Sequence, residues 1–264
     1  MQTVTSKDGT RIAYEKSGQG PAVILVSGAT MTHFGFTDLA QLLAQHFTVY
    51  NYDRRGRGAS SDARISSVEN EIEDIAALIE ESGGAAYIFG VSSGACLAML
   101  AAAHLGDRVL KLAMYEAPYD ESAGAAELWR QYRTHLDSAI AGGNRSAAVE
   151  LFVKFVGAND EMVSQLKNTP TWQELEAVAP TLRYDAAAMG KDRAVPIESA
   201  AKITAETLVL DGGASLQIMP FMSASAKTLA EAIPNSHRRT IEGQAHDFSP
   251  EIMAPILTEY FLSE

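Results

Sequence analysis

The chain has 264 residues, enough for one large α/β domain or one domain with an insertion, and its 47% hydrophobic, 20% charged composition can build a sizeable core. A formal charge of −12 repels phosphate backbones and anionic bilayers, so neither nucleic acid nor a membrane surface is an expected partner. The single cysteine, Cys96, excludes an internal disulfide and a cysteine-rich metal site. The polar start, MQTVTSKDGTRIAYEKSG, does not read as a signal peptide, and no uninterrupted apolar run approaches the ~18 residues of a membrane helix. A cytoplasmic protein is the expectation.

In chain order, TVTSKDGTRIAYEKSG reads as a hairpin around Asp8-Gly9. AVILVSG (22–28) is a continuous apolar run, as expected of a strand buried on both faces. FTDLAQLLAQHF (36–47) has the apolar spacing of a helix, and FTVYNYD (47–53) reads as the fourth strand. ENEIEDIAALIEESGG (69–84) is an amphipathic helix ended by glycine; AAYIFG (85–90) is a buried strand, and ACLAMLAAAHLG (95–106) an alanine-rich helix. VLKLAMYE (109–116), ETLVLDGG (206–213) and HRRTIEG (237–243) complete the strands, with MSASAKTLAEAIP between the last two and SPEIMAPILTEYFL closing as helices.

This alternation predicts a mostly parallel sheet covered on both faces. It breaks across residues 119–203, where AAELWRQYRTHLDSAIAGG, SAAVELFVKFVGA and EMVSQLK have helical patterns and no buried strand is legible. A single domain is therefore expected, with core segments 1–118 and 204–264 and a helical lid inserted at 119–203 after the sixth strand.

Gly90-Val91-Ser92-Ser93-Gly94 fits G-x-S-x-G. The five letters alone are weak, but they lie where a buried strand turns into a helix, the setting of a nucleophile elbow. Glycines on both sides leave room for so sharp a turn, and the helix N-terminus beneath the serine favours developing negative charge. A serine hydroxyl needs an imidazole to take its proton, and His246 lies in the loop that follows the last strand. His46, His104, His135 and His237 are less well placed, whereas His33 is a candidate for the pocket.

Four landmarks in chain order resemble the α/β-hydrolase superfamily: Val26-Ser27-Gly28-Ala29, Asp53-Arg54-Arg55-Gly56-Arg57-Gly58-Ala59-Ser60, the elbow, and Gly243-Gln244-Ala245-His246. The resemblance implies an oxyanion hole from the backbone amides of Ala29 and Ser93, with Ser27 standing where relatives usually carry histidine. It also exposes a departure. Where relatives carry the acid after the seventh strand this chain has Ser215, which cannot hold an imidazolium by charge. A second placement, directly after the sixth strand, is filled by Glu116, with Asp211 and Asp120 as alternatives. G-x-S-S-G combined with a glutamate there is similar to the branch that includes fungal zearalenone lactonases.

The function expected is that of a cofactor-free serine hydrolase acting on a carboxylic ester or lactone of mainly apolar, small-molecule character, with no metal. Met31, His33, Trp129, Tyr132, Phe155 and Met219 are candidate pocket residues, although the lid aromatics, Phe152 and Trp172 included, suit a lid core equally well. Asp53 and arginines 54, 55 and 57 read as ties within their turn, and Cys96 as a small buried residue beneath the nucleophile. Two rivals stand: another reaction on the same residues (carbon–carbon hydrolysis, lyase or perhydrolase chemistry), and a non-catalytic small-molecule receptor.

Overall fold

The computed structural model describes residues 1–63 and 67–263. The eight strands are β1 (Gln2–Thr5), β2 (Arg11–Ser17), β3 (Ala22–Val26), β4 (Thr48–Tyr52), β5 (Ala86–Val91), β6 (Val109–Tyr115), β7 (Glu206–Gly212) and β8 (Ser236–Ile241). They form one sheet of order β1-β2-β4-β3-β5-β6-β7-β8. The N-terminal hairpin joins antiparallel to β4, and every later pairing is parallel. The helices of the core are α1 (Thr37–Leu43), α2 (Val68–Glu81) and α3 (Ser93–Leu105). The insertion adds α4 (Ala125–Ala141), α5 (Arg145–Phe155), α6 (Asp160–Leu166), α7 (Pro170–Val178), α8 (Leu182–Ala188) and α9 (Ile197–Ala200), and the chain ends with α10 (Phe221–Ala232) and α11 (Pro250–Leu262).

Two-residue periodicity explains why the central strands read as unbroken apolar runs. In β3, Ile24 and Val26 pack with α2, α3 and α10, whereas Val23 and Leu25 pack with α1 and α11 on the opposite face. In β6, Leu112 and Met114 face one layer, Ala113 and Tyr115 the other. The helix expected over 36–47 is shorter: it ends at Leu43, and the amides of Gln45 and His46 bond back only three residues as the chain turns to seat the buried Phe47. His46 thus lies in a turn, and His237 within β8.

Because the parallel strands run the same way, their carboxyl ends share one edge of the sheet. The chain leaves β3 for β4 on one side and returns to β5 on the other, so the loops after β3 and β5 meet at a switch point, where α/β sheets bind their ligands. A Cβ on Gly28 would come within 3.1 Å of Ser92 Cβ, and one on Gly94 within 2.3 Å of the Val26 carbonyl. At Gly94 the crossing is closed by backbone contact that only glycine permits, and at Gly28 the fit is tight.

Helices α4–α9 lie between β6 and β7 and carry their own apolar cluster around Trp129, Leu136, Val149 and Leu182. Buried charge ties them to the core. Asp185 on α8 accepts from Arg54 Nη1 and Arg57 Nη2, each at 2.6 Å, and Arg54 also bonds Glu71 of α2 through Nε and Nη2 at 2.8 and 2.9 Å. Thus two of the arginines expected to tie their own turn reach across to the insertion, while Arg55 bonds Asp74 and Asp8. All four members of the Arg54–Glu71–Arg57–Asp185 cluster are at most 2% exposed, and the two charge signs balance. Asp185→Ala strands two buried guanidinium groups, so the expected loss of stability is about 3–5 kcal/mol, read from the urea midpoint at unchanged slope.

Candidate active site

Ser92 follows β5 and caps α3 with φ 56° and ψ −130°, a strained conformation that lifts its side chain off the sheet. Its amide donates to the Tyr115 carbonyl at 2.9 Å, and its carbonyl accepts from the amides of Ala95 and Cys96. A Cβ on Gly90 would meet the Gly94 carbonyl at 2.6 Å, which explains the glycine before the elbow as well as the one after it.

One residue past β6, Glu116 also takes a positive φ, 48°. Its carboxylate is fully buried and accepts from His246 Nδ1 at 2.7 Å through Oε2 and from the Gly212 amide at 2.9 Å through Oε1. With Nδ1 donating, His246 keeps Nε2 free to accept a proton. The preceding residue repeats the link: Tyr115 Oη donates to the carbonyl of Ala245. The last residue of β6 and the one after it therefore grip two successive residues of the histidine loop. Phe248 packs edge-on against Tyr115 at 5.2 Å and Phe89 at 6.0 Å, holding the loop from its other side. Burial works to raise the Glu116 pKa, but the bond from His246, the neighbouring Ser215 hydroxyl and the Gly212 amide outweigh it and hold the carboxyl below its ordinary value.

The other two candidate acids are engaged elsewhere. Asp211 accepts from Arg238 Nε and Nη2 at 3.0 Å each and lies near the Thr240 hydroxyl; Asp120 binds the amide and hydroxyl of Ser122.

Ser92 and His246 share the wall of a cavity of about 710 Å³, although they make no hydrogen bond to each other among the described residues. Ala29, Ser93, Met31, Trp129, Tyr132, Phe155 and Met219 line it too. Trp129, Tyr132 and Phe155 serve both purposes weighed from the sequence, for they form a stacked series within the insertion core and also face the cavity. His33 is a correction. It is buried outside the cavity lining, with its amide and Nδ1 both on Asp53 Oδ1, so the turn carboxylate has drawn it away from the site. Trp172 is likewise held in the insertion core, its Nε1 donating to Ser146 and Glu176.

The buried charge cluster reaches the site as well. Arg57 Nη1 donates to the Gly28 carbonyl at 2.6 Å, and Ser93 Oγ donates to Asp185 Oδ1 at 2.7 Å. Burial works to raise the Asp185 pKa, but the charges of Arg57 and Arg54 and the bond from Ser93 overcome it, leaving the group below its ordinary value. Sequence reasoning missed Asp185 and Arg193, both of which line the cavity. Asp185 carried a signal, a lone carboxylate among Leu182, Ala186 and Met189 at helical spacing. Arg193 sits in the polar stretch Gly190-Lys191-Asp192 and carried none.

Among the described residues, no group of three or more His, Cys, Asp or Glu side chains is placed to share a metal ion, and no helix is long and apolar enough to cross a membrane.

Residues 23–251 match the Alpha/beta hydrolase family, and the chain belongs to it. An alpha/beta hydrolase from Sphaerobacter thermophilus DSM 20745 is 47% identical, with a TM-score of 0.89 over 98% of this chain and 100% of that one. The enol-lactonase from Burkholderia xenovorans LB400 shares the fold at 20% identity, with a TM-score of 0.69 over 99% of this chain and 98% of the other. A malate-bound thermophilic esterase from Thermogutta terrifontis does so at 22% identity, with a TM-score of 0.74 over 98% and 97%. The uncharacterized hydrolase YraK of Bacillus subtilis (strain 168) is 36% identical over 95 residues, a stretch covering 34% of this chain and 35% of that protein.

Glu116 and Asp185 are both held below their ordinary pKa, so between the folded and unfolded values the unfolded chain binds more protons. Their contribution is complete above the unfolded carboxylate range of about 4 and fades as pH falls through the folded values. Urea midpoints should therefore hold above pH of about 5 and drop as the pH is taken below about 4. Glu116→Gln and Asp185→Asn together should flatten that dependence, and an unchanged pH slope in the double variant would contradict it.

Proposed function

We propose that the protein is a serine hydrolase of carboxylic esters or lactones in which Ser92 is the nucleophile, His246 its base and Glu116 the orienting acid. The observation that carries this reading is the bond from His246 Nδ1 to the buried Glu116 carboxylate, in a loop that shares its cavity with a strained Ser92 at a strand-to-helix elbow. The esterase and the enol-lactonase of the same fold are consistent with that substrate class.

In this mechanism Ser92 Oγ attacks the acyl carbon as its proton passes to His246 Nε2. Glu116 keeps the ring in the tautomer with Nδ1 protonated and stabilises the imidazolium that results. The amides of Ala29 and Ser93 take the negative charge of the tetrahedral intermediate. As the intermediate collapses, His246 gives its proton to the departing alkoxide. It next removes a proton from the water that attacks the acyl-enzyme, then returns that proton to Ser92 as the acid leaves. Every proton in the cycle moves between substrate, water and these side chains, so the reaction needs no cofactor. Helices α4–α9 act as the lid, and their aromatic face suits a largely apolar substrate.

Incubation with a fluorophosphonate should add one phosphonyl group to the wild-type protein and none to Ser92→Ala, as read by intact mass. Absence of an adduct on folded wild type would overturn the assignment. The labelling rate should fall by about 10³–10⁴ in Glu116→Gln, whereas Asp211→Asn should stay within about threefold of wild type. The reverse ranking would move the acid to Asp211.

A further inference from the structure

Arg193 is the cation in the described cavity wall, and the chemistry above leaves it unused. It lies between α8 and α9, takes a positive φ of 59° and is only 8% exposed. Its guanidinium carbon stands 4.6 Å from the ring centre of Phe221, 5.1 Å from Phe155 and 5.8 Å from Trp129. Rings of this kind satisfy the faces of the planar cation and leave its N–H-bearing edge to find acceptors. Nε has one, the Pro118 carbonyl at 2.5 Å. The closest carboxylate oxygen paired with it, Asp120 Oδ2, is 3.7 Å from Nη1, beyond hydrogen-bonding reach, and Asp120 Oδ1 is taken by Ser122. The terminal N–H groups of Arg193 thus have no protein acceptor among the described residues.

Asp120 at 3.7 Å balances the charge, yet the terminal nitrogens keep accessible surface and are left with hydrogen-bonding capacity that no described protein acceptor uses. Burial pushes the guanidinium pKa down. A purely structural arginine would find its acceptors within the protein. This one instead lines the cavity with Ser92 and His246, and is the only lysine or arginine among the described lining residues. We infer that Arg193 receives an acceptor oxygen from the non-reacting part of the substrate, which is therefore an ester or lactone carrying a carboxylate or keto oxygen away from the scissile bond. The inference rests on the proposed function for the position of the scissile bond, and it revises the mainly apolar substrate expected from composition: an apolar body with one oxygen-bearing end.

The test uses Ser92→Ala, which cannot be acylated, titrated calorimetrically with three p-nitrophenyl esters of similar length: pentanoate, 4-oxopentanoate and the half ester of glutarate. At least one oxygen-bearing ester should bind about tenfold more tightly than pentanoate, the expected scale of a hydrogen bond to a charged donor. Adding Arg193→Met should erase that difference and leave pentanoate affinity within about twofold. Arg193→Lys, which keeps the charge and loses the fork, should retain part of it and serves if the methionine variant does not fold. Preference for the glutarate half ester identifies a carboxylate, and preference for the oxo ester a neutral carbonyl. Equal affinity for all three, or an equal loss for all three in the Arg193 variants, overturns the inference. Turnover by the wild type separates the two readings. Selective binding with no hydrolysis counts against the proposed function alone, and unselective hydrolysis of all three counts against the Arg193 subsite alone.

Discussion

The carboxylate of Asp185 is shared by two buried arginines and a serine hydroxyl, and much of the site is built outward from it. Arg57, held at one end by Asp185, holds the Gly28 carbonyl at the other. In a trans peptide the carbonyl and the following N–H point in opposite directions, so fixing the Gly28 oxygen also fixes the direction of the Ala29 amide. Asp185 meanwhile anchors the side chain of Ser93, whose amide is the other proposed oxyanion donor. Such donors help a reaction only if they are aimed before charge develops. Here the aim is set by a buried ionic cluster rather than by loop packing alone, and one member of that cluster comes from the helical insertion.

Backbone strain is concentrated in the same place. The described non-glycine residues with positive φ are Thr30, Ser92, Glu116 and Arg193. Three of them line the cavity, and the fourth is bonded to His246 behind it. Conformations of this kind cost on the order of 1–3 kcal/mol each, so they persist only where the surroundings over-determine them. The surroundings are a sheet packed on both faces, with β3, β5 and the carboxyl-terminal half of β6 almost wholly buried. A rigid core is what allows the edge to be held in unfavourable geometry.

The fold was largely legible in the chain because its signals are local. Apolar runs of strand length, helical spacing and glycines at forced turns each occupy a few adjacent residues, and each maps to an element of the sheet or its covering helices. The placement of Ser92 at a strand-to-helix turn and of His246 in the loop after the last strand was legible for the same reason, and that of Glu116 through its position at a strand end. The insertion was read as helical, but α7, α8 and α9 were not resolved within it, since short helices packed on one another carry no strong periodicity. The partners of Arg54 and Arg57 were not legible at all: Asp185 lies 131 and 128 residues away from them in sequence. His33 went wrong through the same blindness. Its position after the Ser27–Ala29 loop suggested the pocket, while a carboxylate 20 residues later had already claimed its ring.

The carboxylate bonded to His246 stands just after β6, and the segment after β7 carries the small, buried Ser215. That segment continues into Ile218 and Met219, which line the cavity. A loop that must hold a charged partner against a histidine cannot drift by even an ångström, whereas one that only presents aliphatic surface can. In the proposed reaction, a carboxylate after β6 separates two duties that would otherwise constrain each other, proton handling behind His246 and the shaping of the chamber after β7. Side chains at 216–222 can then be exchanged to reshape the chamber without touching the pair formed by Glu116 and His246.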